Sequence, residues 1–189
     1  MIEIQLKNTY VRLSFTFFAS AALFLLTNSG FGMAALCACG IHELSHLVLM
    51  LILGVPADEI LFYGAGIRIS SREIDRTGKL SRALILTAGC AGNLIAATVL
   101  ILMRHNIAAA INLFTAFFNI LPIGSLDGAQ LLKDFAVSRF KPENVDKIMR
   151  AVGIVSAVLL SAVVFFFGGA SFYLSIIILY VVFVSCLKA

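Results

Sequence analysis

Hydrophobic residues in this chain fall into long unbroken runs rather than stripes. Six runs stand out, at 10–27, 31–53, 83–103, 107–132, 149–167 and 171–187. Each approaches the roughly 20 residues that cross a bilayer as a helix. Lipid offers the backbone no hydrogen-bonding partner, so a helix is the form such a run takes. A membrane barrel would need alternating segments of about ten residues, and these runs are apolar all round. The pattern predicts an all-α polytopic membrane protein of about six transmembrane helices.

The polar stretches refine that picture. In the connection 54–81, Ile60, Phe62, Ile67 and Ile69 alternate with their neighbours on either side of Gly64 and Gly66. This predicts a short β-hairpin with a glycine turn, and a second turn can form at Thr77-Gly78. The connection 133–150 reads as a charged helical segment broken at Pro142. The remaining connections, 28–30, 104–106 and 168–170, are short and hold one basic residue, Arg104. Thirteen of the 14 Lys and Arg lie on the other side, among them Lys7, Arg12, Arg68, Arg72, Lys133, Arg150 and Lys188. Six alternating spans then place both termini and both long loops in the cytoplasm. The N-terminus resembles a signal peptide at Ala19-Ser20-Ala21, but that triplet lies inside the apolar run rather than after it, so a retained helix is expected. One membrane-embedded domain over 1–189 accounts for the chain, with a core of about 31–138, extra C-terminal helices at 149–187 and no appended soluble domain.

Composition agrees. Hydrophobic residues make up 61% and charged residues 13%, against roughly 45–50% and 25% in soluble domains. Four cysteines, Cys37, Cys39, Cys90 and Cys186, lie in apolar stretches and form no disulfide framework. The net charge of +4 resides in loops between spans, which argues against a nucleic-acid partner.

Ionisable groups are costly in a bilayer, by roughly 2.5–3.5 kcal/mol each at a helix centre. Of ten carboxylates only Glu43 and Asp127 lie within apolar runs, and His42 and His46 flank Glu43. Residues four apart share a helix face, so both imidazoles can reach one ion. His-Glu-x-x-His on a helix is the zinc-hydrolase arrangement, with the glutamate as general base and a zinc-bound water whose pKa falls to about 7. Catalytic zinc takes three protein ligands and keeps a position for water, and Asp127 is the available third donor. Pro122 and Gly124 should break the fourth run beside it, which requires surrounding protein or a water-filled cavity. The plainer readings are pore-lining histidines, a helix-capping Asp127, a packing role for Cys39 on the histidine face and an ordinary surface His105.

At these two motifs the sequence resembles the site-2 protease family of intramembrane zinc metalloproteases, over about 40–130. Asn119, Pro122, Asp127 and Gly128 match its Asn-x-x-Pro-x-Pro-x-x-Asp-Gly pattern, while Gly124 stands for the second proline and Ser125 and Ala129 depart from common forms. Gly89-Cys90-Ala91-Gly92-Asn93 keeps the Gly and Asn of its Gly-Pro-x-x-Asn, with Cys for Pro. The resemblance implies zinc held by His42, His46 and Asp127, Glu43 as base, and Asn93 and Asn119 against the substrate backbone or oxyanion. A buried Asn that bridges helices is the alternative for both. The resemblance also implies a membrane-anchored protein substrate, a membrane regulator as a further partner, and the bacterial cytoplasmic membrane as location. The form is minimal, without PDZ or CBS domain. Two rivals use the same residues: a membrane metal transporter or metal-binding protein, and an inactive relative that sequesters substrates.

Overall fold

The computed structural model describes residues 2–6, 9–26, 30–63, 66–124 and 126–167. The expected run 171–187, Cys186, Lys188 and the Gly64 end of the hairpin lie outside the described residues. The chain divides into two compact units, Met1–Phe118 and Asn119–Ala189.

The first unit builds a four-stranded sheet and four helices. The strands are β1 (Ile2–Leu6), β2 (Thr9–Leu13), β3 (Glu59–Tyr63) and β4 (Gly66–Ser70), in spatial order β1-β2-β3-β4. β1 and β2 pair antiparallel, as do β3 and β4, while β2 and β3 run parallel with Tyr10 opposite Glu59 and Leu13 opposite Phe62. Between β2 and β3 the chain passes through α1 (Phe15–Leu26) and α2 (Gly30–Ile52). A parallel pair needs such a crossover, because a tight turn cannot reverse the chain twice. Arg12 ties three strands together, donating from Nε to Glu3 at 2.9 Å and from a terminal nitrogen to Glu59 at 2.6 Å. The bond to Glu3, then that to Glu59, raises the pKa of this guanidinium above its ordinary value. Phe17 of α1 meets Phe62 of β3 edge to face, with ring centroids 5.3 Å apart.

After a single 3-10 turn (Ile74–Arg76), α3 (Lys79–Leu102) packs along α2, and α4 (Asn106–Ile120) follows. Two glycines bring α2 and α3 close: a Cβ on Gly89 would press on His42 and His46, and one on Gly92 would press on Ser45. Small residues that let helix backbones approach are the usual means of packing in lipid, where burial of apolar surface gives no net drive. Met50, Val55 and Ile85 form a small core beneath Ile69 of β4. Outside these contacts α2 and α3 are apolar and largely exposed, with Leu44, Leu51, Ile95 and Leu102 among the exposed side chains. Both are long and apolar enough to cross a membrane.

In the second unit the chain leaves α4 through a break at 121–126 and enters α5 (Asp127–Val137) and then α6 (Pro142–Phe167). Pro122 and Gly124 lie in the break, and Gly124 has φ 57°. Ile123 packs against Ala157 with Leu121 and Leu126 around it. Pro142 is the first residue of α6, where a missing N–H costs nothing.

Several expectations hold. The runs 31–53 and 83–103 are α2 and α3, the hairpin at 59–70 forms, and the fourth run breaks at Pro122 and Gly124. The all-α class with a single hairpin-bearing loop holds only in part: the chain is mostly helical, but that hairpin belongs to a four-stranded sheet that also takes in β1 and β2. The run 10–27 is not one span: 10–13 belongs to β2, and α1 has 12 residues, about 18 Å of helix. The cause lies in the N-terminal pattern. Ile2, Ile4 and Leu6 alternate with Glu3 and Gln5, and Thr9-Tyr10-Val11-Arg12-Leu13 is rich in strand-forming residues, which a hydropathy run merges with the helix that follows. Pro142 starts a helix rather than interrupting one.

Candidate metal centre

In the first unit His42 and His46 sit one turn apart on α2, both buried, at 4% and 8% exposure. Their Nε2 atoms face each other at 3.2 Å and the rings stand nearly perpendicular, at 80°. The Nδ1 of His46 lies 2.7 Å from the carbonyl oxygen of Ile85 on α3. A carbonyl only accepts, so Nδ1 carries the proton and donates, and Nε2 presents a lone pair. Orientation of a ligand ring by a backbone carbonyl is a regular feature of metal-binding histidines.

Two ring nitrogens at this spacing either share one proton or direct both lone pairs at a common cation. With Zn–N bonds of about 2.0–2.1 Å, two ligands of a tetrahedral zinc stand roughly 3.3–3.4 Å apart, close to the separation found. Gly89 of α3 adds a second observation. A Cβ there would lie 2.6 Å from the His42 Nε2 and closer still to that of His46. The bare glycine leaves space beside both nitrogens, so the residues present fit a zinc ion. Glu43, adjacent on α2, is half-buried.

Asn93 is completely buried on α3 and its amide donates to the Ala38 carbonyl of α2 at 3.3 Å, while its Oδ1 makes no hydrogen bond. This bond runs from α3 to α2. Cys39 is exposed on α2 although both histidines are buried, and His105 is exposed between α3 and α4. Asn112, which the sequence did not single out, is buried on α4 with its amide spent on Ala108 one turn back and its Oδ1 unbonded.

In the second unit Asp127 is the first residue of α5 and half-buried. A carboxylate there is favoured by the unbonded N–H groups and dipole of a helix start. Gly128 follows for a steric reason: a Cβ on it would collide with the backbone carbonyl of Ile120 at the end of α4. Asn119 is half-buried in the last turn of α4.

Two positions of the site escaped a reading of side chains. The Ile85 carbonyl is backbone and leaves no trace in residue identity. Gly89 was legible only as the glycine that opens the Gly89–Asn93 motif, and what it faces is the histidine pair.

Comparison with known proteins bears on the fold and on part of the chain. The model of peptidase family M50 matches residues 102–160. No curated protein matches the sequence. Among solved structures, a site-2 protease from Methanocaldococcus jannaschii superposes with a TM-score of 0.66 at 20% identity, covering 99% of this chain and 94% of that one. At that identity the likeness concerns the fold. The family-model match over about a third of the chain and the shared fold are in line with the resemblance read from the His42–His46 and Asn119–Gly128 motifs.

Proposed function

We propose that this chain is an intramembrane zinc metalloprotease that hydrolyses peptide bonds within or near the transmembrane segments of membrane-anchored proteins. The observation that carries this reading is the pair of buried imidazole nitrogens 3.2 Å apart on an apolar, largely exposed helix. One of these rings is held by the Ile85 carbonyl, and Glu43 follows His42 on α2. His42 and His46 would hold the ion with Asp127 as the third donor that the family resemblance implies, and two imidazoles with one carboxylate suit zinc with a position left open.

Zinc bound there would supply Lewis acidity and a nucleophile at neutral pH. The chain's own residues supply the rest. Glu43 takes a proton from water and returns it to the leaving amine, a role worth roughly 10²–10⁴ in rate. His46, locked by Ile85, presents one nitrogen without a tautomer change. Asn119 donates toward the substrate backbone or oxyanion, while Asn93 holds α3 to α2. β4, one of the two outer strands of the sheet, offers its edge to an unwound substrate segment by strand addition. Both termini and the loops bearing most of the basic residues face the cytoplasm.

The test is cleavage of a membrane-anchored substrate in liposomes, with zinc measured in wild type and in Glu43→Gln. Protease activity in the wild type and an inactive variant of equal zinc content are expected. Equal cleavage by both, or no zinc and no cleavage in wild type, would overturn the assignment.

A further inference from the structure

We propose that Gly89 is a positioning residue for the metal: the missing side chain at this point of α3 lets the Nε2 atoms of His42 and His46 share one ion. The proposal rests on the metalloprotease reading. A methyl group on Gly89 would meet three ring atoms, Nε2 and Cε1 of His42 and Nε2 of His46, all within 2.6 Å. Real Cβ atoms do not approach so closely, so a side chain must turn the rings away from each other or occupy the space beside both lone pairs. Either outcome destroys a shared coordination geometry.

The rings have little freedom to yield. Both are buried, and the Nδ1 of His46 is tied to Ile85, one helical turn before Gly89 on the same face of α3. One turn of α3 therefore does two things, orienting a ring with its carbonyl and clearing room with its glycine. Gly92, one turn further on, would meet Ser45 instead of the imidazoles. Close packing of α2 and α3 explains Gly92 completely, whereas at Gly89 the atoms met are the candidate ligands.

The experiment uses the full chain in detergent, stripped with a chelator and titrated with Co²⁺, whose visible absorption reports tetrahedral coordination. Wild type should take one cobalt. Gly89→Ala should keep its helical circular dichroism, bind cobalt at least 100-fold more weakly and lose the tetrahedral spectrum. Leu86→Ala, a buried change on the same turn of α3, should melt earlier yet retain the spectrum. Equal cobalt affinity in Gly89→Ala and wild type would overturn the role of Gly89 alone. No cobalt in wild type would overturn the metalloprotease reading beneath it. If Gly89→Ala does not fold, the triple variant with His42→Ala and His46→Ala should fold, because the rings that clash are gone. Failure of that variant to fold would show that Gly89 serves helix packing and overturn the proposal.

Discussion

The hydrogen bond from His46 to the Ile85 carbonyl decides which nitrogen that ring can offer, and the neighbouring residues differ in how far sequence reveals them. Glu43→Gln keeps shape and size but removes the basic oxygen, so cleavage should fall by roughly 10²–10⁴ with zinc content unchanged. A transporter using the same ligands would keep its flux in this variant, so activity and metal content together separate the two functions. Gly128→Ala forces a methyl group into the Ile120 carbonyl. Backbone cannot rotate aside, so a destabilisation of about 1–3 kcal/mol is expected, measurable as an earlier thermal transition with reduced zinc retention. The motif residues were legible because ionisable groups in apolar runs are expensive and so conspicuous. Ile85 was not, since its contribution is a carbonyl that every residue carries. Asn93 was ambiguous in sequence, and its bond to the Ala38 carbonyl, again a backbone group, was not legible there.

Among the elements, the break between α4 and α5 shows local chemistry overriding a hydrophobic run. Pro122 cannot donate to a helix, and Gly124 takes a left-handed φ of 57° that costs other residues about 1–2 kcal/mol. Gly124→Ala should therefore lower stability by about that amount, read in denaturant or heat, and reduce cleavage through the placement of Asp127. In the sheet, Ile67→Pro or Ile69→Pro removes a backbone donor from β4. If substrates add to that edge, cleavage should be lost while zinc content stays at the wild-type level; unchanged cleavage would dismiss strand addition. The places of α2 and α3, the break and the 59–70 hairpin were predictable, because run length, proline and period-two alternation are local signals, although α3 starts four residues ahead of its apolar run and α6 seven ahead of its own. The β1–β2 hairpin was missed although its alternation is present, because Tyr10–Leu13 adjoins the apolar α1 and hydropathy does not separate a strand from the helix it leads into. The parallel pairing of β2 with β3 links residues nearly fifty positions apart and has no local signal.

Over the molecule as a whole, α2 and α3 carry exposed apolar side chains along their lengths and are long and apolar enough to cross a membrane. The distribution of basic residues makes the orientation testable. In a chain with its four cysteines replaced, His105→Cys should react with an impermeant maleimide from outside intact cells, and Arg72→Cys only after permeabilisation. The reverse pattern would invert the topology.

The parallel pairing of β2 with β3 carries a separate consequence. These strands clasp the two ends of the α1–α2 excursion, and α1 also packs on α2. A peptide-bond cut near residue 28 would thus sever the chain without releasing either piece. Fragments 1–28 and 29–189, expressed from separate genes, should reassemble and copurify through backbone pairing, making the first unit a natural place to divide this protein into complementing halves.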